Sequence, residues 1–168
     1  MSIQNQTASS DEDASSNIKE FQQWLNDTYN FNVKITGKFS FLLLPYIIKA
    51  MQIEIGSIPN GHWNINDQKL YTPIGIHKDK SYNKVKLIQA LLSYKGYWDC
   101  IIDGDFTELL KHQIVLFQKD HNIMWDGNVG LSTINVLITK FGKRKGWVVD
   151  ESCRETETRE EVSEGRNE

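Results

Sequence analysis

A chain of 168 residues with 39% hydrophobic and 11% aromatic side chains suits one ordinary domain or two small ones, and it is apolar enough to bury a core. Its net charge of −3 is uneven: −3 on Met1–Asn17 and −5 on Asp150–Glu168 leave +5 on residues 18–149, which suits an anionic polymer such as cell-wall carbohydrate or nucleic acid. General disorder is excluded, and so is a membrane-crossing run, because the longest apolar stretch, "FSFLLLPYII", falls far short of roughly 20 residues.

The first 17 residues are polar and acidic, with neither a basic start nor an apolar stretch. They predict a disordered leader, synthesis in the cytoplasm and no ordinary secretory signal. From Ile18 the pattern "IKEFQQWL" predicts a helix, followed by the glycine turn "ITGKF", a second helix around "KAMQ", and a second turn at Asn60-Gly61. "PIGIHKDKS" breaks regular structure at Pro73 and Gly75 and predicts a linker over 73–81. Beyond it, Val85, Ile88, Leu91 and Leu92 form one helical stripe that ends at Gly96. "IIDGDF" turns the chain into a helix with Leu110, Ile114 and Phe117 on one face, capped by Thr107 or Asp105. "WDGNVG" turns it again, and Ser132 or Thr133 opens a short helix with Ile134, Leu137 and Ile138 inside. The stretch from 142 to 168 is charged and predicts a disordered tail.

Shifted against itself, the chain repeats. At an offset of 67, "IKEFQQWL" falls on "VKLIQALL" and "ITGKF" on "IDGDF". At 66, "KAMQ" falls on "VLFQ", Asn60-Gly61 on Asp126-Gly127 and Trp63 on Val129. The expectation is an all-α protein of two tandem three-helix modules, over 18–72 and 82–141. In an Asp-Gly turn the aspartate bonds nearby amides and the glycine takes a positive φ, so these aspartates read as turn-formers.

The second copy resembles the three-helix type of peptidoglycan-binding domain, found as a cell-wall anchor in bacterial and phage lytic enzymes. The matching residues are Ile88-Gln89, Gly96-Tyr97, Asp103-Gly104-Asp105-Phe106, Phe117-Gln118, Asp126-Gly127-Asn128-Val129-Gly130, Thr133 and Leu137. Thr107 stands where the family has glycine after Phe106. The first copy departs further, with Thr36, Ser40 and Asn60 in place of Asp, Gly and Asp. The resemblance implies a non-catalytic wall-binding protein, the targeting part of an endolysin-like enzyme, acting at the bacterial cell wall. Peptidoglycan is the partner, a lytic catalytic domain a further one, and no cofactor is implied.

Nothing in the motifs supplies catalysis. His62, His77, His112 and His121 form no H-E-x-x-H or other chelating spacing, and no nucleophile elbow, P-loop or dinucleotide fingerprint is present. Cys100 and Cys153 read as reduced thiols. For ligand contact, Tyr97, Trp98, Asp105, Trp125 and Asn128 abut the turns and are the candidates; Trp98 and Trp125 each have the alternative of capping the small core. Tyr29, His62 and Trp63 occupy related places in the first copy, and Trp24 reads as core. Two alternatives stand beside this reading: a DNA-binding three-helix protein, and a subunit of a hydrolase whose activity lies elsewhere. The last helix, "STINVLITK", offers few side chains for base edges, and no membrane partner is expected.

Overall fold

The computed structural model describes residues 2–139, with side chains from Asp11 to Ile138; the expected tail over 142–168 lies outside them. Among the described residues there are six helices and no strand: α1 (Ser2–Tyr29), α2 (Leu44–Glu54), α3 (Ile65–Leu70), α4 (Tyr82–Lys95), α5 (Glu108–Asp120) and α6 (Leu131–Thr139). None of these helices is long and apolar enough to cross a membrane.

The predicted stripes form the core. Val85, Ile88, Leu91, Leu92, Leu110, Ile114, Phe117, Ile134 and Leu137 are fully buried, and Ile138 nearly so. Phe21, Leu25, Ile47 and Met51 do the same for α1 and α2. Thr107 caps α5 by accepting from the Leu110 amide at 3.2 Å. α6 begins at Leu131, and the Thr133 hydroxyl is used elsewhere, by Gln118. Asn64 caps α3 in a reciprocal box with Asp67.

The backbone repeats as the sequence does. Positive φ occurs at Asn30, Gly37, Gly56 and Gly61, and again at Gly96, Gly104, Asn122 and Gly127. The two sets pair one to one at offsets of 66 or 67. Asn and Gly exchange places at the helix ends, as expected of the residue types that tolerate the left-handed conformation.

Four buried glutamines hold four of these positions. The Oε1 atoms of Gln22, Gln52, Gln89 and Gln118 accept from the amides of Gly37, Gly61, Gly104 and Gly127 at 3.0, 2.9, 2.8 and 3.0 Å. Each Nε2 donates back to the residue before the glycine: Thr36 Oγ1, Asn60 Oδ1, Asp103 Oδ1 and Asp126 Oδ1. It also donates to the carbonyl after the glycine, that of Lys38, His62, Asp105 and Asn128 respectively. A helix side chain thus satisfies the polar backbone of a turn that has no ladder partner of its own. A second device recurs with it. Tyr29 donates to Glu54, and Tyr97 to Asp120, both at 2.7 Å, joining the end of the first helix of each half to the end of the second.

α1 runs upstream of Ile18, where the sequence predicted a disordered leader. Asn17 donates to the Cys100 carbonyl at 3.0 Å and accepts from the Ile102 amide at 3.1 Å. Ser15 and Lys19 lie against Gly37 as Tyr82 lies against Gly104, so the polar end of α1 corresponds to the start of α4. Its residues there are small or charged because most of that helix face meets water.

The linker is part of the core. Ile74 is fully buried, and its amide and carbonyl pair with Val129 at 3.2 and 2.7 Å. The Tyr71 hydroxyl donates to the same Val129 carbonyl at 2.7 Å. Asp79 pairs with Lys84 at 2.6 Å, tying the linker to α4. Elsewhere on the junction α2 packs on α4, Asn83 donates to Glu54 at 2.8 Å, Trp63 Nε1 donates to Asn135 at 2.8 Å, and the Lys86 ammonium lies 4.9 Å from the Trp24 ring centre.

Two predictions follow from these contacts. Ile74→Ala should cost about 2–5 kcal/mol in chemical denaturation, whereas a free linker would tolerate it. Gln118→Leu and Gln52→Leu should each cost about 1–3 kcal/mol by stranding turn amides and carbonyls, and equal losses in the two halves would show that both turns depend on their clamp.

Candidate functional site

The second turn of the C-terminal half carries an exposed aromatic ring, that of Trp125. Gly127 has φ +75°, and a Cβ there would meet Lys111 Cγ at 2.6 Å, so the turn folds closely back onto α5. Asp126 accepts from the Asn128 amide at 2.9 Å, which closes the turn from its own side chain. Burial pushes the Asp126 carboxyl up, but hydrogen bonds from Asn128 and Gln118 outweigh it and hold the group below the ordinary carboxylate value.

Of the five candidate contact residues, Trp125 is 61% exposed. The Lys119 ammonium sits 4.6 Å from its ring centre, and neighbouring Met124 is 80% exposed. Asn128 shares the turn but is half-buried, its side chain lying where a Cβ on Gly75 would go. Asp105 is exposed in the first turn, which rests on Tyr82 of α4 and not on α5. Tyr97 and Trp98 turn inward, for Trp98 the core-capping alternative weighed from the sequence. Both are buried, at 5% and 4% exposure; Tyr97 packs edge-on against Phe117, and Trp98 donates its indole N–H to the Ile101 carbonyl at 3.2 Å. They follow directly on the left-handed Gly96, which turns them inward over the end of α4.

In the N-terminal half, Trp63 is half-buried at the junction and His62 is exposed. Trp24 and Tyr29 are half-buried and meet edge-on, Trp24 stacking on the buried Phe21 and Tyr29 on the half-buried Phe31. Sequence reasoning passed over Ile58, Ile65 and Met124, exposed by 76%, 62% and 80%. The signal was there, as large apolar residues beside turn glycines and off every helical stripe. Cys100 is disulfide-bonded, which corrects its reading as a reduced thiol; it lies half-buried beside the first turn, and Cys153 lies outside the described residues.

The expected cationic body is also revised in place. Residues 18–139 hold 12 Lys and 11 Asp or Glu, while Lys140, Lys143, Arg144 and Lys145 supply the remaining excess and lie outside the described residues.

A folded-state pKa below the unfolded one stabilises fully above the unfolded value, and the stabilisation is lost as pH falls through the folded value. Asp126 is such a group. Asp126→Asn keeps the acceptor, as Asn60 does naturally, and removes the titration. The variant should lose less stability than the unaltered chain between about pH 5 and pH 2, read by denaturation at the two pH values.

The comparisons with known proteins bear on this half. Residues 81–137 match the family model described as "Putative peptidoglycan binding domain". The chain is 29% identical over 159 residues to "Uncharacterized protein FadG" of Bacillus subtilis (strain 168). That similarity covers 88% of this chain and 27% of that protein, so the chain spans about a quarter of its relative's length. No solved structure matches. The segment that matches this family model contains both clamped turns of the C-terminal half, Gln89 with Gly104 and Gln118 with Gly127.

Proposed function

We propose that the chain is a non-catalytic peptidoglycan-binding unit made of two copies of one three-helix module, and that it targets a lytic activity carried by another domain or subunit. The family match over residues 81–137 carries the binding part of this reading. The recurrence of the clamps and left-handed positions at offsets of 66–67 supports the tandem part. Likeness across most of this chain to a quarter of a longer protein supports a unit that works within a larger assembly. Phage and endolysin origin belongs to the same proposal and rests on the motif resemblance.

Trp125 is the contact residue we favour. An exposed indole offers a flat apolar face to a sugar ring or N-acetyl group, and Lys119 beside it offers a cation to a stem-peptide carboxylate. Asp105 and Asn128 add hydrogen-bonding groups at the two turns. The near balance of charge on residues 18–139 gives these residues little net attraction for phosphate, which favours the wall-binding reading over DNA.

Cosedimentation with purified cell walls tests the function. Trp125→Ala should weaken binding at least about tenfold, equivalent to 1.4 kcal/mol, with thermal midpoint and helical signal nearly unchanged because the ring is exposed. Unchanged binding by the folded variant would remove Trp125 from the site. Failure of the unaltered chain to sediment at micromolar concentration would remove the function.

A further inference from the structure

Solvent-facing positions in a duplicated fold are free to diverge, and here most have. Across the offset of 66, Ile53 corresponds to Lys119, Pro59 to Trp125 and Asn66 to Ser132. Two exposed positions have not changed character. Ile58 corresponds to Met124, and they are 76% and 80% exposed; Ile65 corresponds to Leu131, and they are 62% and 42% exposed. Each pair brackets a second turn and the first residue of the helix after it. Packing among the described residues does not account for them, since they face water; single exposed apolar residues are ordinary, but their retention at the same place in both copies, where neighbouring exposed positions diverge, points to a shared use.

The junction fixes how these two tips stand to one another. Trp63, in the second turn of the N-terminal half, donates to Asn135 of α6 at 2.8 Å. Val129, in the second turn of the C-terminal half, pairs with Ile74 and accepts from Tyr71, both just beyond α3. Each turn is therefore bonded to the opposite half, close to the tip it carries.

We infer that the two tips, Ile58 with Ile65 and Met124 with Leu131, are equivalent contact points held at a fixed separation, and that they engage two units of one repeating glycan–peptide polymer. The inference rests on the wall-binding reading and adds that the N-terminal half binds too. Two equal tips on two equal folds suit a ligand that repeats. A single small molecule would use one tip and leave the other without a role. Linked sites bind a polymer more tightly than either does alone, provided the geometry permits both to engage.

The test uses the full chain with two probes, intact purified walls and a soluble disaccharide-peptide fragment one repeat long. The unaltered chain should bind two fragments by calorimetry. Ile58→Ser and Met124→Ser should each bind one, and each should weaken binding to intact walls by about tenfold or more. The double variant should lose both. Ile65→Ser and Leu131→Ser form an independent pair with the same expected result, and all four residues are exposed, so the thermal midpoint should hold. One fragment per chain, unaffected by Ile58→Ser but abolished by Met124→Ser, would overturn the inference while leaving wall binding standing. So would wild-type binding by both variants. An unaltered chain that binds neither probe would remove the wall-binding reading and this inference together.

Discussion

The fold depends on one contact made four times, a buried glutamine amide gripping a glycine turn. A turn that leaves a small helical cluster and returns cannot pair its backbone with a neighbouring strand. Its amide and carbonyl groups would then be buried without partners, at about 1–3 kcal/mol each. Glutamine solves this because its amide is an acceptor and a double donor at the end of a flexible arm. Gly104 shows why the other partner must be glycine. Its φ of +82° aims the N–H at Gln89, and a Cβ would meet the Tyr82 ring at 2.5 Å. The clamp in turn sets where the next helix begins, and so which face of α2, α3, α5 and α6 meets the core.

The clamp also accounts for what the N-terminal half has been free to change. The position before the glycine needs only an oxygen that can accept from Gln Nε2 and from an amide two residues on. Asp103 and Asp126 provide it with a carboxylate, Asn60 with a side-chain carbonyl and Thr36 with a hydroxyl. The loss of both aspartates therefore leaves the turns intact. In sequence that half looks worn, but in structure its geometry is kept. Asp67 stands where the C-terminal half has Thr133. Each meets the adjacent glutamine, and Asp67 also accepts from Ser57 and from the Asn64 amide.

Most helical stripes were legible because their apolar residues recur at helical spacing, and the two Gly turns because Asp-Gly has few other uses. What was hidden depended on three-dimensional direction. Trp98 and Trp125 look alike in sequence, each beside a turn and off the stripes. One follows a left-handed Gly96 and is driven inward; the other stands at the tip of a turn held from below by Gln118. Ile74 sits between Pro73 and Gly75, a context that signals a loop, and only its pairing with Val129 shows it to be core. The polar face of α1 has no periodic signal before Ile18, so the bonds from Asn17 to the first turn of the other half could not be anticipated.

The family match and the cooperative unit therefore have different boundaries. Residues 81–137 contain the motif, yet Val129, at its centre, completes its backbone bonding with Ile74, and the carbonyl it offers is shared with Tyr71. Cutting the chain at residue 81 would leave a buried amide unpaired and expose the apolar surface that Ile74 covers. The N-terminal half is in this sense a structural partner of the matched domain. Its Asn17, Glu54 and Trp63 each bond to the C-terminal half, at α1, the end of α2 and the turn before α3. Contacts spread over three elements resist hinge motion better than one patch would, because no single rotation axis leaves them all intact. A pair of small modules, each marginal in the area it can bury alone, gains a shared core by this arrangement. It also gains a fixed relation between surfaces that a flexible linker would leave to chance.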